Sequence, residues 1–429
     1  MPASDPDDRR HLLIDGIGST VRLTLDGPGA DNLHSLLTDA WTRCLRSDEP
    51  GPDHGVAFRR HASDAGPAPA TAELRITFAP SSTPMATPSA EDHLAGSDPD
   101  SLLVRTTQAI TRKLISSQAG RLLMLHAGAV AHPRTGRTVV LVAPGGTGKT
   151  TLVRTLATRY GYLTDETVAI DADYRVLPYP KPLSVRRTSA PKQELSPDGL
   201  GLLSAPAGPT VVRLCLLERD DRHAGSPEIV PMDLLDAITE LTPQTSSLYA
   251  LPEGLRTLAR LIAATGPVLR LRYTEAEEVV PFLGALLDDA ELPEVGPGRE
   301  FPAPDDTVAT EPSPAHTPDT VGARQEGTSD LRVHANQFAD RLERDGEALV
   351  LRRDGGLLRL SPLGASIVEF AVNPIRLDVL AAALAGRFGR PEGVDLLEST
   401  AQGVKDLAEQ GLLTLGEPPL PEAPVRSDA

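Results

Sequence analysis

The hydrophobic and polar positions of the chain follow two periodicities through its large N-terminal part. Apolar alternation or short apolar runs predict strands, whereas apolar residues three to four positions apart predict helices. The strand patterns cover residues 11–25, 73–78, 122–130, 138–142, 211–219 and 268–273, and the helical patterns cover residues 101–117, 151–160, 233–241 and 255–264. Strands that alternate with helices predict an α/β sheet covered by helices.

A different pattern occupies the C-terminal part. Two apolar segments, 347–353 and 356–360, flank Asp354-Gly355, which is typical of a β-hairpin. Ser361-Pro362 then predicts the start of a helix, with the proline in its first turn. Two further helical patterns cover residues 377–388 and 394–410. A hairpin followed by three helices predicts a small winged-helix-like domain.

Between these two parts, residues 291–330 are rich in proline, acidic and small residues. Such a segment buries too little apolar surface to fold, so we expect a disordered linker. The predicted organisation is a tail at 1–10, an N-terminal α/β region at 11–120, a nucleotide-binding domain at 121–290, the linker at 291–330, a C-terminal domain at 331–416 and a tail at 417–429.

Composition narrows the class of partner. Asp and Glu outnumber Lys and Arg by 59 to 42, for a formal net charge of −17, which disfavours nucleic acid and anionic membranes. With only Cys44 and Cys215, the sequence offers no disulfide framework. It also has neither a signal-peptide pattern nor an apolar run of about 18 residues. We expect a cytoplasmic protein without nucleic-acid or membrane partners, and the oligomeric state stays open.

The strongest chemical signal is the glycine-rich segment 143–150, which lies between a predicted strand and a predicted helix. In a P-loop of this kind, backbone N–H groups cradle phosphates, the lysine reaches the β- and γ-phosphates, and the following hydroxyl binds Mg²⁺. Ala143 stands where the strict pattern has glycine. The pattern predicts a bound nucleoside triphosphate and Mg²⁺ as cofactors, with Thr150 on the metal. The residues predicted to bind the nucleotide are Gly145, Gly146, Thr147, Gly148, Lys149, Thr150 and Thr151.

Three polar residues flank this loop in the sequence. Asp165 and Glu166 follow the P-loop helix in the predicted strand segment 163–170, and His126 ends the apolar strand before the loop. Adjacent carboxylates can hold Mg²⁺ or accept a proton from an attacking hydroxyl, while the alternative for such a pair is a solvated turn. His126 is either a structural histidine or a site residue.

In this order, His126, the P-loop and Asp165-Glu166 resemble the HPr kinase/phosphorylase family over about residues 121–170, and more loosely to about residue 287. That family has a histidine before its P-loop and an Asp-Asp pair after the P-loop helix. The resemblance implies an α/β P-loop kinase-like fold and ATP as the nucleotide. In it, Asp165 is the general base toward a Ser or Thr hydroxyl, Glu166 lies near the metal, and His126 faces the transferred phosphate. Glu166 departs from the family pattern, and its downstream arginine-and-glycine signature has no clear match.

Arg186 and Arg187 follow a proline-rich segment at 178–185. Two neighbouring guanidinium groups are candidates for stabilising a phosphoryl group in transfer. The alternative is a solvated basic turn.

The C-terminal part resembles the PqqD-like family, which binds leader segments of ribosomally made peptides. The resemblance is carried by Leu357-Leu358-Arg359-Leu360-Ser361-Pro362 and by the apolar positions of the helices that follow. It implies that a leader peptide adds as a strand beside Leu357, Leu358, Arg359 and Leu360. A structural or dimerising helical domain and a winged-helix DNA binder are the alternatives.

Together, the two resemblances predict an ATP-dependent kinase-like protein that binds a precursor peptide through its leader and phosphorylates a Ser or Thr of it. The first alternative is a catalytically degenerate protein that presents the peptide to other modifying enzymes. The second is a nucleotide-dependent DNA-binding regulator, which the acidic composition disfavours.

Overall fold

The computed structural model describes residues 10–46, 71–80, 92–185, 193–223, 226–289, 331–390 and 392–416. Their contacts divide the chain into two compact units, one drawn from 1–251 and 257–303 and the other from 252–256 and 304–429. The predicted linker at 291–330, the tail at 417–429 and residues 1–9 of the first tail lie outside the described residues. Within the described ranges, no helix is both long and apolar enough to cross a membrane.

Residues 10–289 form a mixed α/β structure, in agreement with the predicted fold class. The helices are α1 (Ala30–Ala40), α2 (Pro99–Gln118), α3 (Lys149–Ala157), α4 (Leu234–Leu241), α5 (Gly254–Thr265) and α6 (Ala276–Asp288), with 3₁₀ turns at Thr242–Gln244 and Leu248–Ala250. The strands are β1 (Arg10–Gly16), β2 (Ser19–Asp26), β3 (Ala72–Phe78), β4 (His93–Gly96), β5 (Leu123–Ala131), β6 (Arg137–Val142), β7 (Gly161–Thr164), β8 (Thr167–Ile170), β9 (Val176–Leu177), β10 (Leu183–Val185), β11 (Gln193–Leu195), β12 (Thr210–Arg219), β13 (Glu228–Pro231), β14 (Thr245–Ser246) and β15 (Leu269–Tyr273).

The N-terminal region is a four-stranded sheet in the order β1-β2-β3-β4. Its β1–β2 pair is antiparallel and the next two pairs are parallel. Helix α2 packs against this sheet, and the Asp98 side chain caps the helix by accepting a hydrogen bond from the Ser101 N–H at 2.8 Å. The core beneath α2 continues into the larger sheet through Met124 and Ala169. The region is therefore packed onto the larger sheet.

The larger sheet has nine strands in the order β13-β15-β12-β6-β5-β8-β9, with β7 and β14 also paired to β5. Strand β6, which leads into the P-loop, is parallel to β12 and antiparallel to β5. Both β5 and β6 are buried along nearly their whole length, as their continuous apolar sequences predict. The P-loop therefore leaves the sheet from one of its central strands.

The segment 163–170, predicted as a strand end that carries two carboxylates, contains the end of β7 and the whole of β8, with the acidic pair between them. Strands β7 and β8 pair with opposite halves of β5, and Asp165-Glu166 forms the turn between them. The Thr164 hydroxyl oxygen accepts hydrogen bonds from the N–H groups of Glu166 and Thr167, both at 3.3 Å, in place of regular ladder bonds. The acidic pair therefore sits in an irregularity of the sheet, opposite His126 and Ala127.

Helix α3 approaches the sheet closely at Gly128 of β5. A Cβ atom added to Gly128 would lie only 2.4 Å from Val153 Cγ2 and 3.5 Å from Lys149 Cγ. A larger residue here would push the helix away from the sheet. Gly128 therefore brings the first turn of α3 close to the β7–β8 turn.

The C-terminal unit contains the strands β16 (Arg332–Ala335), β17 (Asp340–Arg344), β18 (Glu347–Leu351), β19 (Leu357–Leu360), β20 (Ile375–Arg376) and β21 (Leu413–Leu415), and the helices α7 (Pro362–Phe370), α8 (Leu377–Phe388) and α9 (Leu396–Glu409). Two three-stranded antiparallel sheets, β17-β18-β19 and β20-β16-β21, enclose a core with the three helices.

The predicted hairpin is present as β18 and β19, and the Ser361 side chain caps α7 as expected. The prediction of one hairpin and three helices was nevertheless incomplete. It missed β17, which extends the hairpin, and all of the second sheet, whose strands are short and distant in sequence.

Candidate functional site

The P-loop has the backbone shape that a phosphate cradle requires. Gly146 and Gly148 adopt left-handed conformations, with φ of 89° and 86°. A Cβ atom added at Gly145, Gly146 or Gly148 would meet no described protein atom within 4 Å. The Thr147 hydroxyl donates to the Pro144 carbonyl at 2.7 Å and closes the loop on itself. The glycines thus border open space at the N-terminus of α3, where a helix end favours anions.

Lys149 is the buried cation of this loop, with 7% of the residue exposed. Its Nζ donates to two backbone carbonyls, those of Ala143 at 2.9 Å and His126 at 3.1 Å. Burial lowers the pKa of Lys149 to about 8, against the opposing effect of the Asp165 and Glu166 carboxylates. Since carbonyls neutralise no charge, Lys149 brings a full positive charge to the loop at neutral pH.

Thr150 and Asp165 are joined directly. Thr150 Oγ1 donates a 3.0 Å hydrogen bond to Asp165 Oδ2. Asp165 is buried, and its other oxygen, Oδ1, accepts a hydrogen bond from the Tyr162 hydroxyl at 3.1 Å. The structure therefore places an oxygen-rich pair, one hydroxyl and one carboxylate, beside the phosphate cradle.

Lys181 is the second buried cation, with only 2% of the residue exposed. Its Nζ lies 3.0 Å from Asp165 Oδ1 and 3.1 Å from Glu166 Oε2, and it donates to the Pro182 carbonyl at 3.0 Å. Burial alone would lower the pKa of Lys181, but the Asp165, Glu166 and Glu194 carboxylates hold it above its ordinary value. A single ammonium group thus bridges the acidic pair.

Glu194 forms the outer part of this cluster. Burial raises the pKa of Glu194 above its ordinary value, and the Lys181 ammonium opposes that shift. The Ser184 hydroxyl donates to Oε1, whereas the Oε2 atom is buried without a hydrogen-bond partner among the described residues. Glu194 therefore adds negative charge near Lys181 from β11, across the β10–β11 pair.

The structure brings together all of the residues predicted for this site except the two arginines. His126 is half-buried. Its burial is the main cause that lowers the pKa of its imidazole, and the nearby Lys149 ammonium lowers it further. Asp165, predicted as the general base, is the carboxylate that contacts Thr150. Glu166, predicted as the metal-side residue, contacts Lys181, and its side chain is 34% exposed. These roles stay predictions. Arg186 and Arg187 lie outside the described residues.

The oxygen atoms present fit a hydrated Mg²⁺ ion that binds together with a nucleotide. Mg²⁺ is usually held by one or two carboxylates plus phosphate oxygens rather than by a cage of protein ligands. Among the described residues there is no group of three His, Cys, Asp or Glu side chains that could hold a metal ion. The Thr150 hydroxyl and Asp165 Oδ2, next to the open loop, are the donors such an ion would use.

Sequence reasoning missed three members of the site, which are Lys181, Tyr162 and Glu194. Lysine is rarely buried, so Pro180-Lys181-Pro182 read only as part of a turn-rich segment. The signal available was its position between Tyr179 and Leu183, both of which prove to be fully buried. Tyr162 lies between the predicted helix at 151–160 and the predicted strand segment at 163–170, and it was assigned no role.

The predicted peptide-binding residues Leu357, Leu358, Arg359 and Leu360 make up strand β19. Within the described part of the C-terminal unit, β19 pairs with β18 alone and forms an edge of its sheet. Leu357 and Leu358 are partly buried, Leu360 is buried, and Arg359 forms an ion pair with Glu347 at 2.7 Å. An edge strand presents unpaired backbone groups, which is the requirement for adding another strand.

Comparisons with known proteins give little beyond this geometry. No protein-family model and no curated protein matches the chain. Among solved structures, the chain is similar to the Hpr(Ser) kinase/phosphatase from Coxiella burnetii, at 12% identity and a TM-score of 0.21. The match covers 39% of this chain and 93% of that one. The functional assignment therefore rests on the side chains described above.

Proposed function

We propose that the chain is an ATP-dependent kinase that phosphorylates a Ser or Thr hydroxyl of a ribosomally made precursor peptide. The observation that carries the kinase part is the arrangement of the P-loop, in which Thr150 contacts the buried Asp165 carboxylate while Lys149 lies at the base of an open glycine cradle. Loop, lysine, hydroxyl and carboxylate are the parts that P-loop phosphotransferases use.

The residues act on the nucleotide mainly by position and charge. Lys149 and the backbone N–H groups of the loop would bind the β- and γ-phosphates, with Thr150 and Asp165 holding Mg²⁺ beside them. When bound, Mg²⁺ neutralises part of the phosphate charge. The acceptor oxygen forms a bond to the γ-phosphorus. At the same time, the bond between the γ-phosphorus and the β–γ bridging oxygen breaks, and ADP leaves.

The proton of the acceptor hydroxyl passes to a carboxylate of the acidic pair. Asp165 is buried and receives hydrogen bonds or ion-pair contacts from Thr150, Tyr162 and Lys181. Glu166 contacts Lys181 through one oxygen and is 34% exposed, so the geometry favours Glu166 as the group that a peptide hydroxyl reaches.

The peptide part of the proposal rests on the C-terminal unit. Its edge strand β19 offers backbone groups to a leader segment, and the partly buried Leu357 and Leu358 offer apolar contacts. Holding the leader would raise the concentration of the peptide near the nucleotide site, since both units belong to one chain.

A second candidate function is peptide presentation without phosphoryl transfer, in which the bound peptide is passed to other modifying enzymes. The observation that favours it is the bridging of both carboxylates by Lys181, because the ammonium group occupies one oxygen of each carboxylate that an acceptor hydroxyl would have to reach.

One experiment separates the two functions. The protein is mixed with γ-labelled ATP, Mg²⁺ and a candidate precursor peptide, either whole or without its leader. A kinase labels the whole peptide, labels the leaderless peptide far more slowly, and loses transfer in Asp165→Asn and Glu166→Gln. A presentation protein binds the leader but leaves the peptide unlabelled.

A further inference from the structure

The position of Lys181 bears on how many metal ions the site accepts. Its ammonium group is almost equidistant from Asp165 Oδ1 and Glu166 Oε2, at 3.0 and 3.1 Å. A third contact, to the Pro182 carbonyl, fixes the ammonium from the other side. With 2% of the residue exposed, Lys181 has little freedom to move away.

A cation between two adjacent carboxylates occupies the place of a bridging metal ion. Many phosphoryl-transfer sites hold two divalent ions about 3.5–4 Å apart, with carboxylates between them. Here the two oxygens of the Asp165 carboxylate have different partners. Oδ2 accepts a hydrogen bond from the Thr150 hydroxyl, and Oδ1 contacts the Lys181 ammonium. Only the Thr150 side is left for a divalent ion.

The charges around Lys181 also disfavour a second divalent ion between the two carboxylates. Lys181 already supplies a positive charge between the Asp165 and Glu166 carboxylates, and Glu194 is a third carboxyl group near its ammonium. A divalent ion added at the same place would repel the ammonium at short range in a poorly hydrated environment. Displacing Lys181 would leave a buried ammonium without its partners, which is strongly unfavourable.

We propose that Lys181 takes the place of a second divalent cation, so that the site binds one metal ion, on the Thr150 and Asp165 Oδ2 side, together with the nucleotide. Lys181 is a positioning residue, since it acts through the two carboxylates. The inference rests on the proposed nucleotide site, but its key step, exclusion of a cation from the acidic pair, can be measured without nucleotide.

The test counts bound Mn²⁺ by electron paramagnetic resonance, without nucleotide and with a non-hydrolysable ATP analogue. The wild type should bind one Mn²⁺ per chain with the analogue and none at the acidic pair without it. Lys181→Met should gain one Mn²⁺ under both conditions, and adding Glu166→Gln should remove that gain. Lys181→Arg should match the wild type, as should Lys113→Met, which removes a surface lysine paired with Asp92.

Two manganese ions on the wild type with the analogue would overturn the proposal, as would a folded Lys181→Met with the wild-type count. If Lys181→Met does not fold, the wild-type counts decide the matter, because one Mn²⁺ with the analogue and none without it support the proposal, and any further Mn²⁺ contradicts it. Absence of analogue binding would refute the nucleotide site instead, while the nucleotide-free titration still reports on Lys181.

Discussion

Thr150 and Asp165 lie fifteen residues apart in the sequence, yet a 3.0 Å hydrogen bond joins their side chains. The bond connects the first turn of α3 to the turn between β7 and β8. It forms because Gly128 lets the helix approach β5 and because the Asp165-Glu166 turn interrupts the strand facing it. A generic phosphate loop thereby acquires a carboxylate at the position where P-loop enzymes bind Mg²⁺.

Removing either member of this pair should remove the Mg²⁺ dependence of ATP binding. We expect the wild type to bind ATP about 10- to 100-fold more tightly with Mg²⁺ than with EDTA, the range of one or two charge-assisted interactions. Asp165→Asn and Thr150→Val should bind equally under both conditions. Asp92→Asn, an acid-to-amide change in a surface ion pair, is the matched control. Full Mg²⁺ dependence in Asp165→Asn would contradict the assignment.

Gly148 should resist substitution because of its backbone conformation. At φ of 86°, an alanine is strained by about 1–2 kcal/mol, so Gly148→Ala should lower the unfolding temperature of its unit and weaken ATP binding. Gly386→Ala is the counterpart, because Gly386 lies in α8 and an added Cβ meets open space, so this change should stabilise its own unit slightly. Calorimetry of both variants checks the opposite signs. Equal shifts in the two variants would argue against the strained loop.

The sequence could predict those parts of the site that consist of consecutive residues. The P-loop is one segment, with its strand before it and its helix after it, so its glycines and Lys149 were all identified. For Thr150 and Asp165, the sequence shows only their order along the chain and does not predict the contact between their side chains. Lys181 was not predicted, because its burial depends on the tertiary packing of the segment after β9, for which the buried neighbours Tyr179 and Leu183 are the local signal.

The C-terminal unit shows the same division. The β18–β19 hairpin was predictable because its turn is local, with Gly355 at φ of 88° and the Asp354 carboxylate accepting a 3.0 Å hydrogen bond from the Gly356 N–H. The β20-β16-β21 sheet was not, because its strands have two to four residues each and are distant in sequence. Strands that are this short contain too few residues for an alternation of apolar and polar positions to be recognised.

Both cysteine thiols should be inert in the folded protein. Burial raises the pKa of Cys215 to about 12 and that of Cys44 further above its ordinary value. Because the thiolate is the reactive form, iodoacetamide at pH 8 should alkylate the native protein at least about 100-fold more slowly than the unfolded one. Mass spectrometry should show two adducts in guanidinium chloride. Rapid labelling of the native chain would mean that the turn after α1, which contains Cys44, or strand β12, which contains Cys215, is not packed as described.

The Glu369–Arg387 ion pair should make the C-terminal unit depend on acidity. A hydrogen bond from the Arg387 guanidinium holds the pKa of Glu369 below its ordinary value of 4.5. The stabilisation is therefore present above pH 4.5 and is lost as the pH falls through the lower folded-state value. Both side chains are more than one third exposed, so Glu369→Gln should cost only about 0.5–1 kcal/mol at pH 7.

Denaturant unfolding of the C-terminal unit at several pH values checks this pair. The difference between wild type and Glu369→Gln should shrink as the pH falls below 4.5, and it should disappear once the pH is below the lowered pKa of the Glu369 carboxyl group. Glu409→Gln, in an exposed pair with Lys405, should have little effect at any pH. A difference that stayed constant with pH would show that the effect does not arise from the charge of Glu369.

Calorimetric titration of ATP with Mg²⁺ into the wild type, Lys149→Met and Lys113→Met tests the nucleotide site most directly. Lys149 is buried at the base of the cradle, whereas Lys113 is a partly exposed lysine in a surface ion pair. We predict one ATP bound per chain for the wild type and Lys113→Met, and binding about 10- to 100-fold weaker for Lys149→Met, because a buried charge-assisted contact to phosphate is lost. Equal affinity in Lys149→Met and the wild type, or no ATP binding to the wild type, would contradict the account.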